Sequence, residues 1–413
     1  MVRRTIATAD RVDAMVKRSR FFNNQTYHFQ SLRALNDIPY GGADTSEILE
    51  TIKHIKAGDA DSWYNAWERT GDRVSELACR TKDPISRGRA HLRAHNYYRT
   101  AEFLLAPHDP RRAISWKKNV ETFYKGLDTL GVRYERISAP YGAHHLNALY
   151  FPGPQESEKR PLIAICGGFD PTLEELYFVL VTAGLERVYS VLAYEGPGQG
   201  SIIRKQGILT HEWEKPTAAI LDEYLRTHSR PTKIVLVGMS MGGYLAPRAA
   251  AFDNRIDGVV AFDVFFDFGA ISSRSVPPVT FWFGRHGLGF VLNAIAKIKS
   301  AFSPSLIWAL QNSRWVMGTS GLLETAEALR AYTLQDVAQR ITSDVLILAG
   351  KDDHFVPVEQ VKQFENSFTQ ARSVTSVIYD RESGGAEHCQ LGAITLWHAA
   401  FFDWLLQKFP QHA

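Results

Sequence analysis

Lys233-Ile-Val-Leu-Val-Gly238-Met239-Ser240-Met241-Gly242-Gly243-Tyr-Leu-Ala-Pro247 is the stretch that decides the fold. Residues 234–237 are short, β-branched and uniformly apolar, the pattern of a strand covered on both faces. They run directly into Gly-x-Ser-x-Gly, and residues 241–252 then read as a helix. Small residues at both ends of the pentapeptide let the backbone turn sharply from strand to helix and lift the serine hydroxyl above a sheet. The helix directs the positive end of its dipole at that hydroxyl. Gly-x-Ser-x-Gly alone is a weak pattern; between a buried strand and a helix it makes Ser240 a candidate nucleophile.

Outward from this elbow the same alternation recurs. Residues 161–165, 189–194, 258–262, 344–350 and 375–380 read as buried strands, and 132–137 with 146–151 as an antiparallel opening pair. Segments 172–186, 216–228, 357–368 and 390–408 fit helices between or after them. Strands alternating with helices imply a mostly parallel sheet covered on both faces, with ligands at the carboxyl ends of its strands. Residues 1–131 read as a helical segment; Trp116, Val120, Phe123, Leu127 and Leu130 form an amphipathic stripe there. The sheet then divides into a first part, 132–268, and a second, 343–413. Residues 269–342 between them hold no strand pattern and carry Phe281, Trp282, Phe283, Phe290, Phe302, Trp308 and Trp315. So long a connection predicts an inserted helical cap, with an extra packing layer as the alternative.

A serine hydroxyl needs a base, and the base needs an orienting acid. Gly350-Lys-Asp352-Asp353-His354-Phe355-Val356-Pro357 follows the strand 344–350 and supplies the acid: Asp353 is the candidate, Asp352 its competitor. Gly384-Gly-Ala-Glu387-His388-Cys389 follows the last strand and offers His388 as base on a loop before the final helix. His354 comes too early in the chain for that role, and His398 lies inside the last helix. Cys166-Gly167-Gly168-Phe169-Asp170 follows the strand 161–165; its paired glycines let the backbone approach a substrate oxygen. The N–H groups of Phe169 and Met241 then form an expected oxyanion hole. Tyr194-Glu-Gly-Pro-Gly-Gln199-Gly200 is glycine-rich but lacks the spacing and the Lys-Ser/Thr of a phosphate loop, so it reads as a structural loop flooring the site. Asp263 and Asp267, past the strand after the nucleophile, are candidates for contact with a polar substrate or for anchoring a cap. Tyr98, with Tyr97 and Phe103, either faces the pocket or packs a core; Trp282 and Trp308 are the candidates from the insertion.

The composition excludes other classes. The 413 residues carry a net charge of +3 with histidines neutral, so no basic field argues for nucleic acid. The basic start lacks the apolar run of a secretory leader, and no apolar stretch reaches the roughly 18 residues of a membrane span. Cys79, Cys166 and Cys389 are odd in number, far apart and outside any CxxC, which predicts a reducing, cytoplasmic setting and neither a disulfide framework nor a zinc cage.

Taken together, GGFDPTLEEL, YEGPGQG, GMSMGGYLAPRAAA, GKDDHFVP, GAEHCQLG and the upstream RAHLRAHNYYRTAEFLLAPHDPR resemble the α/β-hydrolases related to 2,6-dihydropseudooxynicotine hydrolase and to the fungal polyketide-shortening hydrolases of melanin precursor pathways. The resemblance spans most of residues 60–408. It implies an α/β-hydrolase fold with an N-terminal helical segment and a cap, a triad at Ser240, Asp353 and His388, and a homodimer. It also implies hydrolysis of C–C bonds or esters of a small molecule without metal or organic cofactor. A non-catalytic binding protein on the same fold, or an aminopeptidase or acyltransferase using the same triad, are the alternatives.

Overall fold

The computed structural model describes residues 20–275 and 304–410. These fall into two compact units, one running up to Leu130 and taking in the stretch ending at Trp308, the other starting at Gly131 and resuming at Ala309.

The first unit is helical: α1 (Gln25–Leu35), α2 (Thr45–Ile52), α3 (Ala60–Arg80), α4 (Pro84–Glu102) and α5 (Pro110–Leu130). Side-chain oxygens of Asn24, Asp44, Asp59 and Asp83 cap the first four, each accepting from backbone N–H groups that the helix leaves unpaired. Trp63, Trp67, Tyr97 and Tyr98 are buried in the core. The amphipathic stripe on α5 is rotated from its expected position. Phe123 and Leu127 are buried, but Ser115, Asn119 and Thr122 are buried with them, while Trp116 and Val120 are only partly covered. Ser115 turns inward to donate to Glu68 at 2.6 Å and the Asn119 carbonyl lies 3.2 Å from His95 Nδ1. Further along α5 the helices cross closely: a Cβ on Gly88 would lie 3.2 Å from the Gly126 carbonyl and one on Gly126 equally near that of Gly88.

The second unit is built on one sheet of eight strands: β1 (Glu135–Tyr141), β2 (His144–Phe151), β3 (Leu162–Cys166), β4 (Val191–Tyr194), β5 (Ile234–Met239), β6 (Gly258–Phe262), β7 (Asp344–Gly350) and β8 (Ser373–Tyr379). Their spatial order is β1-β2-β4-β3-β5-β6-β7-β8. The β1–β2 and β2–β4 pairs are antiparallel and all others parallel. Every residue of β3 to β7 is buried, which is why these strands read as continuous apolar runs. This is the α/β-hydrolase fold the sequence predicts. The helices following the sheet's strands are α6 (Thr182–Glu186), α7 (Gly200–Arg204), α8 (Glu214–Thr227), α9 (Gly242–Ala250), α10 (Phe268–Ser275), α11 (Pro304–Met317), α12 (Leu322–Leu329), α13 (Glu359–Ser367) and α14 (Ile394–Lys408). A π-helical turn, Tyr177–Val181, leads into α6.

Of the insertion expected at 269–342, the described residues form α10, α11, α12 and a short turn before β7. Phe281, Trp282, Phe283, Phe290 and Phe302 lie outside the described residues. No described helix is long and apolar enough to cross a membrane.

Candidate active site

β5 ends at Met239 and α9 begins at Gly242, leaving Ser240 and Met241 to make the turn. Ser240 takes a left-handed φ of 60°, a conformation that costs a residue with a side chain on the order of 1 kcal/mol. The surroundings hold it there. Ser240 N–H donates to the Phe262 carbonyl at 2.5 Å and the Ser240 carbonyl accepts from Gly243 N–H at 2.7 Å. The flanking glycines are required by space: a Cβ on Gly238 would strike the Gly242 carbonyl, and one on Gly243 the Asp263 carbonyl.

The Ser240 hydroxyl lies 2.8 Å from Nε2 of His388, and Nδ1 of that imidazole lies 2.6 Å from Oδ2 of Asp353. His388 sits on a short turn before α14, where Cys389 and Gln390 take φ values of 52° and 45°. Asp353 follows β7; its Oδ1 accepts from the backbone N–H groups of Phe355 at 2.7 Å and Val356 at 3.0 Å. One carboxylate oxygen is therefore spent on fixing the loop and the other faces the imidazole. Burial opposes charge on both members, yet each is overridden by its partner. His388 is held well above its ordinary value by the Asp353 carboxylate, and Asp353 below its own by His388.

The competitors stand elsewhere. Asp352 pairs with the exposed Arg381. His354 stacks beside Phe355 and lies 3.7 Å from the Glu387 carboxylate. His398 is buried in α14, with Nε2 2.8 Å from the Val179 carbonyl.

Gly168 is pressed against the elbow: a Cβ there would lie 2.7 Å from the Met241 nitrogen and 2.8 Å from the Ser240 Cβ. The Gly167-Gly168-Phe169 turn thus borders the same point as Met241. Among the described residues neither Phe169 N–H nor Met241 N–H has an acceptor. Gln199 holds this turn, a role that its loop's sequence did not suggest. Fully buried, it donates from Nε2 to the carbonyls of Gly167 at 3.0 Å and Gly168 at 2.7 Å, while its Oε1 accepts from Gly196 N–H at 3.0 Å. A lone glutamine in a glycine-rich loop carries no sequence signal for that contact, which spans 31 residues.

Asp263 is neither a solvated carboxylate nor a cap anchor. It is buried, accepts from Val264 N–H at 2.9 Å and Cys389 N–H at 3.3 Å, and places Oδ2 3.8 Å from His388 Nδ1. Burial first, then the Asp353 charge, raises Asp263 far above the carboxylate range, so it is the neutral acid of the pair. Asp267 does anchor the insertion. Its Oδ1 accepts from Ala270 N–H at 2.8 Å in the first turn of α10, and Thr333 donates to Oδ2 at 3.4 Å. Tyr98 belongs to the helical unit, where its hydroxyl donates to Asp72 at 2.8 Å. Trp308 packs against the Phe103 ring at a tilt of 36°, centroids 5.0 Å apart, and donates from Nε1 to the Phe103 carbonyl at 2.7 Å.

Asp263, Asp353 and His388 bring carboxylate and imidazole atoms within 4.8 Å of one another, a donor set of the kind that can hold a cation. His388 Nδ1, however, faces Asp353 at hydrogen-bond length, with the N–H that a metal-binding nitrogen would have to lack. Acid–base chemistry accounts for the whole set. Phe265 meets the His388 ring edge-on at 6.1 Å and Phe355 at 5.0 Å, and Phe268 stacks between Phe265 and Phe169. Asn312 of α11 reaches the Asp170 carboxylate at 3.4 Å, beside the Gly167-Gly168 turn.

The profile of the Alpha/beta hydrolase family matches residues 162–381. A hydrolase of Aspergillus aculeatus, acrC, is 31% identical over 420 residues, covering 94% of this chain and 98% of its own. The 20-hydroxy-prefusarin hydrolase FUS2 of Gibberella moniliformis is 29% identical, covering 94% of this chain and 97% of its own. The crystal structure of a 2,6-dihydroxy-pseudo-oxynicotine hydrolase shares the fold with a TM-score of 0.70 at 19% identity, covering 92% of this chain and 97% of that one.

Proposed function

Because the chain belongs to the alpha/beta hydrolase family, we propose that it is a serine hydrolase working through Ser240, His388 and Asp353 on a bulky, polyketide-like small molecule. One observation carries the reading: the unbroken hydrogen-bond chain from the Ser240 hydroxyl through His388 to Asp353, at 2.8 and 2.6 Å.

In the mechanism, His388 Nε2 takes the Ser240 proton as the oxygen bonds to a substrate carbonyl carbon. Asp353 stabilises the imidazolium and keeps the ring in register. The N–H groups of Phe169 and Met241 receive the oxyanion, each worth about 3 kcal/mol in comparable sites. Collapse expels either an alkoxide or, for C–C cleavage, an enolate, and His388 returns its proton to the leaving oxygen or carbon. Cleavage of a carbon–carbon bond therefore needs a leaving carbanion stabilised by a second carbonyl, as in a 1,3-dicarbonyl. Water then attacks the acyl-enzyme with His388 again as base; the Ser240–acyl bond breaks to release the carboxylic acid, and His388 returns the proton to the Ser240 oxygen.

Two things support the substrate class. The named activity of the Gibberella relative is hydrolysis of 20-hydroxy-prefusarin, and the rings of Phe265 and Phe355 meet the base edge-on, with Phe268 and Phe169 stacked in turn beyond Phe265. Flat, conjugated or multi-ring acyl chains suit such walls. The three unpaired cysteines agree with a reducing compartment.

A fluorophosphonate probe tests the chemistry. The expected result is covalent labelling of the wild-type protein at Ser240 and none in Ser240→Ala. Labelling that survives the substitution overturns the proposal.

A further inference from the structure

We propose that Asp263 is a positioning residue for His388: a second carboxyl group behind the triad that carries the imidazole when the Asp353 charge is removed. The inference rests on the serine-hydrolase reading above and adds a residue to it.

The geometry makes Asp263 unlike an ordinary buried acid. It follows β6, the strand next to β5, while Asp353 follows β7, one strand further along. The two carboxyls thus approach the same imidazole face from adjacent strands. Asp263 is 1% exposed. Its Oδ1 is fixed by Val264 N–H, and its Oδ2 by Cys389 N–H, the amide immediately after the histidine it faces. The backbone beneath is immobilised because its carbonyl abuts Gly243 in the first turn of α9. From Oδ2 to His388 Nδ1 is 3.8 Å, so a shift of about 1 Å completes a hydrogen bond.

Two carboxyls this close do not both ionise in a buried site. With Asp353 charged, Asp263 keeps its proton, and its O–H faces Asp353. The titratable groups around it are Asp353, His388 and the Cys389 thiol. Burial, the larger cause that holds Asp263 protonated, stays; replacing Asp353 by Asn removes the second, the Asp353 charge, so Asp263 ionises at a lower pH than in the wild type. Asp263 then loses its proton to solvent and, as a carboxylate, accepts from His388 Nδ1–H. The imidazole keeps the tautomer that presents a bare Nε2 to Ser240.

The role predicts a double-mutant pattern that a packing role does not. The readout is the rate of fluorophosphonate labelling of the full chain at several pH values, beside melting curves. Asp263→Asn alone, whose amide N–H replaces the lost O–H toward Asp353, slows labelling only a few-fold. Asp353→Asn leaves slow labelling that climbs with pH as Asp263 deprotonates. Asp353→Asn/Asp263→Asn is slower by about tenfold or more than Asp353→Asn, and the climb assigned to Asp263 is lost. If the double variant labels like Asp353→Asn with an unchanged pH profile, Asp263 does not position the base and the inference is overturned. If both singles and the double melt as wild type yet the wild type itself fails to label at Ser240, the serine-hydrolase reading has failed instead. Should that double variant not fold, Asp353→Asn/Asp263→Ser, which also removes the carboxyl, takes its place and is read the same way: a further fall of about tenfold with loss of the climb supports the role, and labelling equal to Asp353→Asn overturns it.

Discussion

Ser240 at a φ of 60°, His388 one hydrogen bond away and Asp353 one further divide the labour so that each substitution has its own signature. Ser240→Ala is expected to remove about 10⁴ to 10⁶ of kcat with the fold intact. Asp353→Asn is expected to cost up to about 10⁴, through loss of imidazole orientation, less whatever Asp263 restores. Asp352→Asn removes only a surface pair with Arg381, so kcat is expected to fall by less than about tenfold. Steady-state kinetics on one ester substrate ranks the two acids, and the reverse order would move the acid to Asp352. The hydrogen-bonded grouping of Ser240, His388 and Asp353 is legible in the sequence because each residue sits on a turn whose backbone demands are written locally: Gly238 and Gly242 around the serine, Gly350 and Pro357 around the acid, Gly384 and Gly385 before the histidine. Asp263 was legible only as an acid near the site. Its role depends on contacts with Asp353 and Cys389, 90 and 126 residues away, and no local pattern encodes those.

At the scale of elements, strands announced themselves better than helices. The five strands β3 to β7 fall where apolar runs predict them, within two residues, because they are buried on both faces. The sequence places the first strand three residues early, at 132 instead of Glu135, since its exposed edge carries charged residues that blur the alternation. The α5 stripe is rotated because Ser115 and Asn119 find buried polar partners in Glu68 and His95, where periodicity assigns them to solvent. The loop after β4 gave its structural character but not its target. Gln199→Ala removes both hydrogen bonds to the Gly167-Gly168 turn, freeing the segment that leads to Phe169, proposed above as one oxyanion donor. The expected loss is about 10- to 100-fold in kcat with KM little changed, because the donor acts on charge present only in the transition state. An equal loss in KM alone would mean that the loop only shapes the ground-state site. Trp308, a pocket candidate from the sequence, makes its described contacts with Phe103 in the helical unit. Trp308→Ala is accordingly expected to lower stability by roughly 2 kcal/mol with KM unaltered. Melting curves beside kinetics check this, and a raised KM at unchanged stability would return the residue to the pocket.

Across the whole molecule, buried ionisable groups set a pH window that bulk charge does not reveal. His398 is pushed down to about 4, by burial first. Its folded value lies below its unfolded one, so the stability of its neutral form is present above about pH 6.5 and is lost as pH falls toward 4. Glu174 is pushed up to about 8, by burial and then by the neighbouring Glu195, and one of its carboxyl oxygens has no hydrogen-bond partner in the structure. Its folded value lies above its unfolded one, so the stability of the protonated form is present below about pH 4.5 and is lost as pH rises to 8. Asp263 and His388, both raised, act in the same direction as Glu174. Between about pH 4.5 and 6.5 His398 offsets one of the two acids; above 6.5 that opposition ends and Glu174 and Asp263 act unopposed, joined by His388. Glu174→Gln keeps the shape of the side chain and removes its charge. The variant is therefore expected to gain on the wild type progressively through that interval, by about 2 kcal/mol between pH 6.5 and 8. Denaturant unfolding of both proteins at half-unit steps measures it. A stability difference that stays constant with pH would show that Glu174 is already charged in the folded protein, and would leave its unpartnered oxygen to be satisfied by water.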